Sequence, residues 1–408
     1  MMKVKSWHFL IYIVVALLGF SIVTVYSTDT AAFSANSGVH QSISLQFIKH
    51  LLWVFLGSGL MVAMAKIDYH HLQKLSIPIL VVSLVTLVLV LIPGVGTVTN
   101  GARRWIRLGS IMGVQPSEFA KLAVIIFISA YITKNQNRMS EFKRGFLLPL
   151  GIAAGTSALI IKEPDFGTSA LIIAISVIML IIGGIRIRYI FSTLLAALPL
   201  MYEIVFGSSY RLRRLLAFLN PWADPSGAGY HIIQSWIALG SGGLTGLGIG
   251  ESKQKLFFLP ESNSDFIFTI IGEEFGYLGV VTIICLFLLL LWQGLRIVHA
   301  TKDLFGFFLG LGITLMFGLQ AIINIAVVSG ALPTKGIPLP FVSAGGSSLL
   351  LSMTGIGILI NIARLSETLK TENEVHIDAK ELCNNIAYEQ APVKLWHKIA
   401  HKIAGFSW

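Results

Sequence analysis

The feature that most restricts this chain is a repeated pattern: continuous apolar runs of about 16–27 residues, each close to the length that crosses a bilayer core. Ten such runs are found, at 9–27, 46–66, 75–93, 117–133, 146–161, 166–183, 187–206, 267–293, 305–328 and 344–363. They are continuous rather than alternating, so they read as helices and not as barrel strands. Composition agrees. Of 408 residues, 55% are apolar and 12% are charged, against about 25% charged in a soluble domain. So few charges cannot cover a water-facing surface. The expected fold is an all-α polytopic membrane protein with ten transmembrane helices. One large extracytoplasmic loop, about 207–265, lies between helices 7 and 8. The membrane domain covers 1–364 and a cytoplasmic tail covers 365–408. Pro78, Pro149 and Pro199 fall inside runs and are expected to kink them, and Gly306 and Gly310 have a spacing that permits close helix packing.

Charge placement orients the chain. The formal net charge is +10. With the N-terminus inside, the short inner turns carry Lys66, Lys74, Lys134, Arg138, Lys143, Arg186, Arg188 and Lys302, as the positive-inside rule expects. The C-terminus then also lies in the cytoplasm. The first run follows Lys3 and Lys5 and reads as an uncleaved anchor rather than a removed signal peptide. Arginines on the outer side work against this topology: Arg103, Arg104 and Arg107 in a short loop, then Arg211, Arg213 and Arg214. They imply either an anionic ligand or a grip on lipid headgroups. Cys285 and Cys383 make no metal or disulfide spacing, and no nucleic-acid module is present. In Lys394 to Phe406 basic and apolar positions separate onto different faces, so a short amphipathic helix within 392–408 is expected on the inner leaflet.

Four outer segments carry the chemistry. The first is Asn100-Gly-Ala-Arg-Arg-Trp-Ile-Arg-Leu-Gly109 with Gln115-Pro-Ser-Glu-Phe-Ala-Lys121. Pro116 suits a helix start. Glu118 and Lys121 share a helical face, as a structural ion pair or as part of a cavity. The second is Lys162-Glu-Pro-Asp-Phe-Gly-Thr168, in which Asp165 is a helix cap or a site residue. The third is the long loop, with Asn220-Pro-Trp-Ala-Asp-Pro225, a Gly-rich stretch from Gly240 to Gly250, and Leu259-Pro-Glu-Ser-Asn-Ser-Asp-Phe-Ile-Phe268. No buried strand precedes those glycines, so they are no dinucleotide fingerprint. Asp265 sits where loop meets membrane, either capping a helix or desolvated enough to serve as a general base. The fourth is Gly336-Ile-Pro-Leu-Pro-Phe-Val-Ser-Ala-Gly-Gly-Ser-Ser348, a rigid turn whose hydroxyls and N–H groups suit an anion or a sugar. Taken together, arginines, a lysine, carboxylates and aromatic edges suit a substrate with a lipid tail, a diphosphate and sugars. They do not separate transfer from transport.

These segments, in this order over residues 10–365, resemble the SEDS family of bacterial cell-wall membrane proteins, which contains FtsW, RodA and SpoVE. Asn220-Pro-Trp-Ala-Asp-Pro225 and the compact Gly248 to Leu256 resemble the division branch, FtsW, more than the elongation branch, RodA. The resemblance implies a peptidoglycan glycosyltransferase acting on lipid II at the outer face of the bacterial cytoplasmic membrane, at the septum. Its partners would be a cognate class B penicillin-binding transpeptidase, FtsI-like, other division proteins and membrane lipids. The family's essential aspartate matches Asp265. Its Arg-Trp pair matches Arg104 and Trp105, its cavity pair Glu118 and Lys121, and its short-turn aspartate Asp165. Arg103 and Ser343 complete the expected substrate contacts. A divalent cation, Mg or Mn, is left open. The chain departs from the family at Ala344, where Tyr is usual, at Asn263-Ser264 in place of His-Thr, and in lacking the usual Asp-Arg near the first span.

The expected reaction is inverting transfer, with Asp265 taking a proton from the acceptor hydroxyl and Arg103, Arg104 and Lys121 meeting the diphosphate charge. The rivals are a lipid II flippase and a non-catalytic scaffold. A flippase needs a polar path through the bilayer centre, and the span midpoints hold almost no ionisable residues.

Overall fold

The computed structural model describes residues 6–37, 45–99, 102–108, 112–207, 209–256, 258–259 and 263–368. The chain forms two compact units, 1–362 and 363–408. Of the second, only 363–368 are described, as the last turns of a helix; Cys383 and the expected helix within 392–408 lie outside the described residues.

Every apolar run falls on a helix. The first are α1 (Ser6–Ser37), α2 (Leu45–Lys66), a short α3 (His70–Lys74) and α4 (Ser76–Leu91). A small sheet follows, β1 (Gly96–Thr99), β2 (Ala102–Leu108) and β3 (Met112–Val114). Then come α5 (Pro116–Asn135), α6 (Leu148–Lys162), α7 (Phe166–Ile182), α8 (Ile187–Phe206), α9 (Ser209–Leu219), α10 (Tyr230–Ser241), α11 (Ile267–Ala300) and α12 (Leu304–Val328). The last is α13 (Gly346–Thr368). Among the described residues seven helices are long and apolar enough to cross a membrane, and α4 and α7 are shorter apolar helices. The centre is α5, buried almost all round from Ala120 to Ile132 and packed on α4, α7 and α12. Helices α2 and α11 expose large apolar side chains such as Phe55, Leu288 and Trp292, a surface only lipid solvates well.

Three expectations need correction. The fold is not purely α-helical. The short loop before α5 is a three-stranded antiparallel sheet in the order β1-β2-β3, and the Ala-Arg-Arg-Trp-Ile-Arg-Leu segment is its middle strand. One of the three prolines makes no interior kink. Pro78 lies in the first turn of α4, where a missing N–H leaves no bond unmade, whereas Pro149 follows a π-helical stretch, Phe142–Leu147, inside the continuous helical span Phe142–Lys162, and Pro199 is interior to α8. The segment 207–265 is largely structured. Its helix α10 buries Ile232, Ile233 and Ala238, and Ser235 Oγ bonds Thr269 Oγ1 at 2.9 Å and donates to the Val328 carbonyl at 2.8 Å.

The Gly-rich stretch has a definite task. Helix α11 is interrupted at Gly276, whose φ is +65°. A helix break strands backbone groups, and in lipid each of them must find a partner. The glycine stretch supplies the partners. Tyr277 and Leu278 N–H donate to the Gly243 and Leu244 carbonyls at 2.9 and 3.2 Å, and Leu247 and Gly248 N–H donate to the Glu273 and Glu274 carbonyls at 3.0 and 3.1 Å. A Cβ on Gly246 would stand 2.0 Å from the Glu274 carbonyl oxygen, so only glycine lets the two backbones meet.

Candidate active site

The N-terminal ends of α5, α7, α11 and α13 converge. Pro116 opens α5 and Gln115 holds its cap position. Gln115 N–H donates to Ser347 Oγ, in the first turn of α13, at 3.3 Å. Gln115 Nε2 donates to Ser117 Oγ at 2.9 Å and reaches Asp165 Oδ2 at 3.5 Å. Asp165 caps α7, its Oδ1 accepting from Thr168 N–H at 3.1 Å. Before α13, Ala344 N–H donates to the Asn263 carbonyl at 2.9 Å, just ahead of α11. Helix N-termini carry partial positive charge, so this end of the bundle favours an anion.

Asp265 stands one residue before Phe266, the cap position of α11. Its main chain is held by α12, where Asn324 Nδ2 donates to the Asp265 carbonyl at 2.9 Å and to the Ile337 carbonyl at 2.7 Å. One turn earlier Gln320 Nε2 donates to the Pro338 carbonyl at 3.3 Å. The carboxylate lies against Gly336: a Cβ there would stand 2.5 Å from Asp265 Oδ2. Ser343 is buried. Its hydroxyl donates to the Ser264 carbonyl and accepts from Leu339 N–H. The expected sugar contact is therefore a clip between two loops. Phe341, at φ +64°, sets its ring 5.0 Å from that of Phe317, tilted by 52°, and pins the same turn to α12.

Glu118 and Lys121 form a buried ion pair at 2.8 Å, on one face of α5 as their spacing requires. The two arginines part company. Trp105 pairs with Thr97 and Arg103 with Val98, so Arg104 is the extra residue of a β-bulge. The bulge turns Arg104 toward the α6–α7 turn, where Nε donates to the Glu163 carbonyl at 2.9 Å and Nη2 to the Pro164 carbonyl at 2.8 Å. Those bonds use two of its five donors. Arg103 is half-exposed on β2, and Trp105 lies against Gly113 of β3.

Two groups here escaped the sequence reading. Glu163 is fully buried, and neither carboxylate oxygen has a partner among the described residues. Burial pushes its carboxyl up to about 8, with Asp165 adding to the rise and Arg104 opposing it. Lys335 precedes Gly336 in the turn that meets Asp265. It keeps accessible surface, yet surrounding protein lowers its ammonium and the Asp165 carboxylate opposes that fall. An acidic residue beside a proline turn, and a lysine just before the Gly-Ile-Pro motif, were the signals available.

The FtsW/RodA/SpoVE family, described as cell cycle protein, matches residues 8–368. The chain belongs to that family. A probable peptidoglycan glycosyltransferase FtsW of Trichlorobacter lovleyi is 45% identical over 358 residues, which is 87% of this chain and 92% of that protein. Stage V sporulation protein E of Bacillus subtilis is 42% identical over 318 residues, 78% of this chain and 87% of that one. A chain solved in a peptidoglycan synthase complex has the same fold, with TM-score 0.72 at 24% identity, covering 89% of this chain and 99% of that one. Rod shape determining protein RodA of Thermus thermophilus gives 0.64 at 23%, covering 89% and 98%. The geometry above is how this member of the FtsW/RodA/SpoVE family assembles its outer segments.

Proposed function

We infer that the chain is a peptidoglycan glycosyltransferase, polymerising lipid II into glycan strands during septal wall synthesis. The FtsW relatives at 41–45% identity over most of the chain support the activity. The observation that carries the site is the convergence of four helix N-termini, with Arg104 held at the α6–α7 turn and Lys335 one residue before the glycine that lies against Asp265. A lipid-linked diphosphate needs such positive potential beside a carboxylate base.

In this reading Asp265 accepts the proton of the acceptor sugar hydroxyl. The oxygen attacks the anomeric carbon, the bond from that carbon to the diphosphate oxygen breaks, and the lipid diphosphate leaves with the electron pair. Arg104, Lys335 and the helix ends meet its charge, with Lys121 beneath them oriented by Glu118. Arg103 and Trp105 line the approach, and Asp165 places Lys335. No cluster of three or more His, Cys, Asp or Glu residues suited to a metal occurs among the described residues. Magnesium commonly sits on one or two carboxylates plus substrate phosphates, and a cation here would come with the diphosphate. The chain spans the inner membrane ten times with both termini in the cytoplasm and acts with a class B penicillin-binding transpeptidase. The fold's likeness to a chain of a peptidoglycan synthase complex supports that partner.

The test is polymerisation of lipid II by the purified chain with its cognate transpeptidase. Asp265→Asn keeps the shape and removes the base, so glycan strands should vanish while the complex stays intact. Near-normal strands from that variant would remove Asp265 from the chemistry.

A further inference from the structure

We propose that Lys255 and Glu274 are a positioning pair for Asp265; this rests on Asp265 being the base. The break at Gly276 leaves Ile267–Phe275 as a short helical piece of its own. A piece that short has little intrinsic stability, and its direction is set by what it packs against. Its beginning, beside Asp265, is tied to α12 through Asn324. Its far end is tied by two carboxylates. Glu273 accepts from Ser252 Oγ and from Lys253 and Gln254 N–H at 3.0 and 3.4 Å. Glu274 Oε1 accepts from Lys255 Nζ at 2.9 Å, from Gly250 N–H at 3.2 Å and from Ser27 Oγ. Lys255 Nζ also donates to Ser27 Oγ at 2.9 Å. Ser27 belongs to α1, so the pair joins the half-helix, the glycine plug and a separate helix at one buried point.

Stability is a poor reason for this arrangement. Both side chains are almost fully buried, at 2% and 0% exposure, and Glu274 Oε2 has no partner among the described residues. Buried ion pairs are often no more stable than apolar residues of the same volume. What the charges add is a single direction and distance, which an apolar contact leaves loose. Glu274 lies roughly 10 Å along the helix from its start, at about 1.5 Å per residue. A tilt of about 10° at that end therefore moves the start by nearly 2 Å, and displacements of about 1 Å can lower turnover on the order of 100-fold.

The test uses the full chain with its transpeptidase and purified lipid II. The double variant Lys255→Met/Glu274→Met replaces the pair with apolar groups of similar length. It should melt at or above the wild-type temperature and keep KM within about 2-fold, while kcat falls roughly 10- to 100-fold. Ser27→Ala, which removes only the α1 tether, should fold normally and lower kcat several-fold at unchanged KM. Wild-type kcat in a folded double variant overturns the proposal. If the double variant does not fold, wild-type kcat in Ser27→Ala overturns it instead. Asp265→Asn runs alongside: activity in that variant would refute the base assignment, whereas its loss together with full kcat in the other variants would refute the positioning pair alone.

Discussion

Replacing Glu163 with glutamine isolates the cost of keeping a carboxyl group buried without a hydrogen-bond partner. Both oxygens are buried and unpartnered, and burial raises the carboxyl from 4.5 to about 8. The sign follows from linkage. Below pH 4.5 the group is protonated in both folded and unfolded chains and costs nothing extra. As pH rises toward 8 the unfolded chain releases its proton first, so the folded form loses ground until its own carboxyl ionises. At about 1.4 kcal/mol per unit the loss is roughly 3 kcal/mol by pH 7 and about 5 kcal/mol above pH 8. Glutamine carries no such dependence. Its buried amide still costs about 1–3 kcal/mol, equally at every pH. Glu163→Gln should therefore melt at or below the wild-type temperature at pH 5 and clearly above it at pH 8.5. The assay is thermal unfolding of the detergent-purified chain across pH 5–9. A wild-type-to-variant difference that stays constant over that range would refute the argument, because it would mean Glu163 is ionised throughout.

Gly336→Ala places a methyl 2.5 Å from Asp265 Oδ2; glycan polymerisation should fall at least about 10-fold with little change in melting, and full activity would show that the carboxylate can move aside. Lys121→Met leaves Glu118 buried without its partner and should cost about 3–5 kcal/mol as well as use of the lipid-linked substrate, with Glu118→Gln milder. Combining the two should restore melting but not activity; recovery of both would make the pair purely structural. A synthetic peptide of residues 390–408 should gain helical circular dichroism on anionic vesicles, lose it in high salt, and lose it when Lys394, Lys398 and Lys402 become Glu. A peptide that stays random on such vesicles would rule out autonomous membrane docking.

What could be read from the sequence were the properties set by local rules. Lipid leaves no unpaired backbone group unpunished, so a continuous apolar run has to be a helix, and each of the ten runs is one. Spacing of three on a helix puts side chains together, so Glu118 and Lys121 had to meet. Pro116 opens a helix and Asp165 caps one for the same kind of local reason.

Other features depended on residues far apart in the chain. Nothing local separates Arg103 from Arg104; the bulge against β1 does, by sending one guanidinium to carbonyls 59 and 60 positions away. Ser343 looked like a ligand hydroxyl until its acceptor proved to be a carbonyl 79 positions back. Glu163 is one acidic residue among several in the sequence, and only the packing around it removes its water. Gly276 sits in an apolar stretch that reads as unbroken helix, and its break exists because a distant glycine segment supplies the stranded partners. Sequence alone determined which segments become apolar helices, because desolvation of the backbone acts on each segment by itself. Tertiary structure decided which polar groups face one another, because a buried charge or hydrogen bond takes its energy from a partner whose place no local pattern encodes.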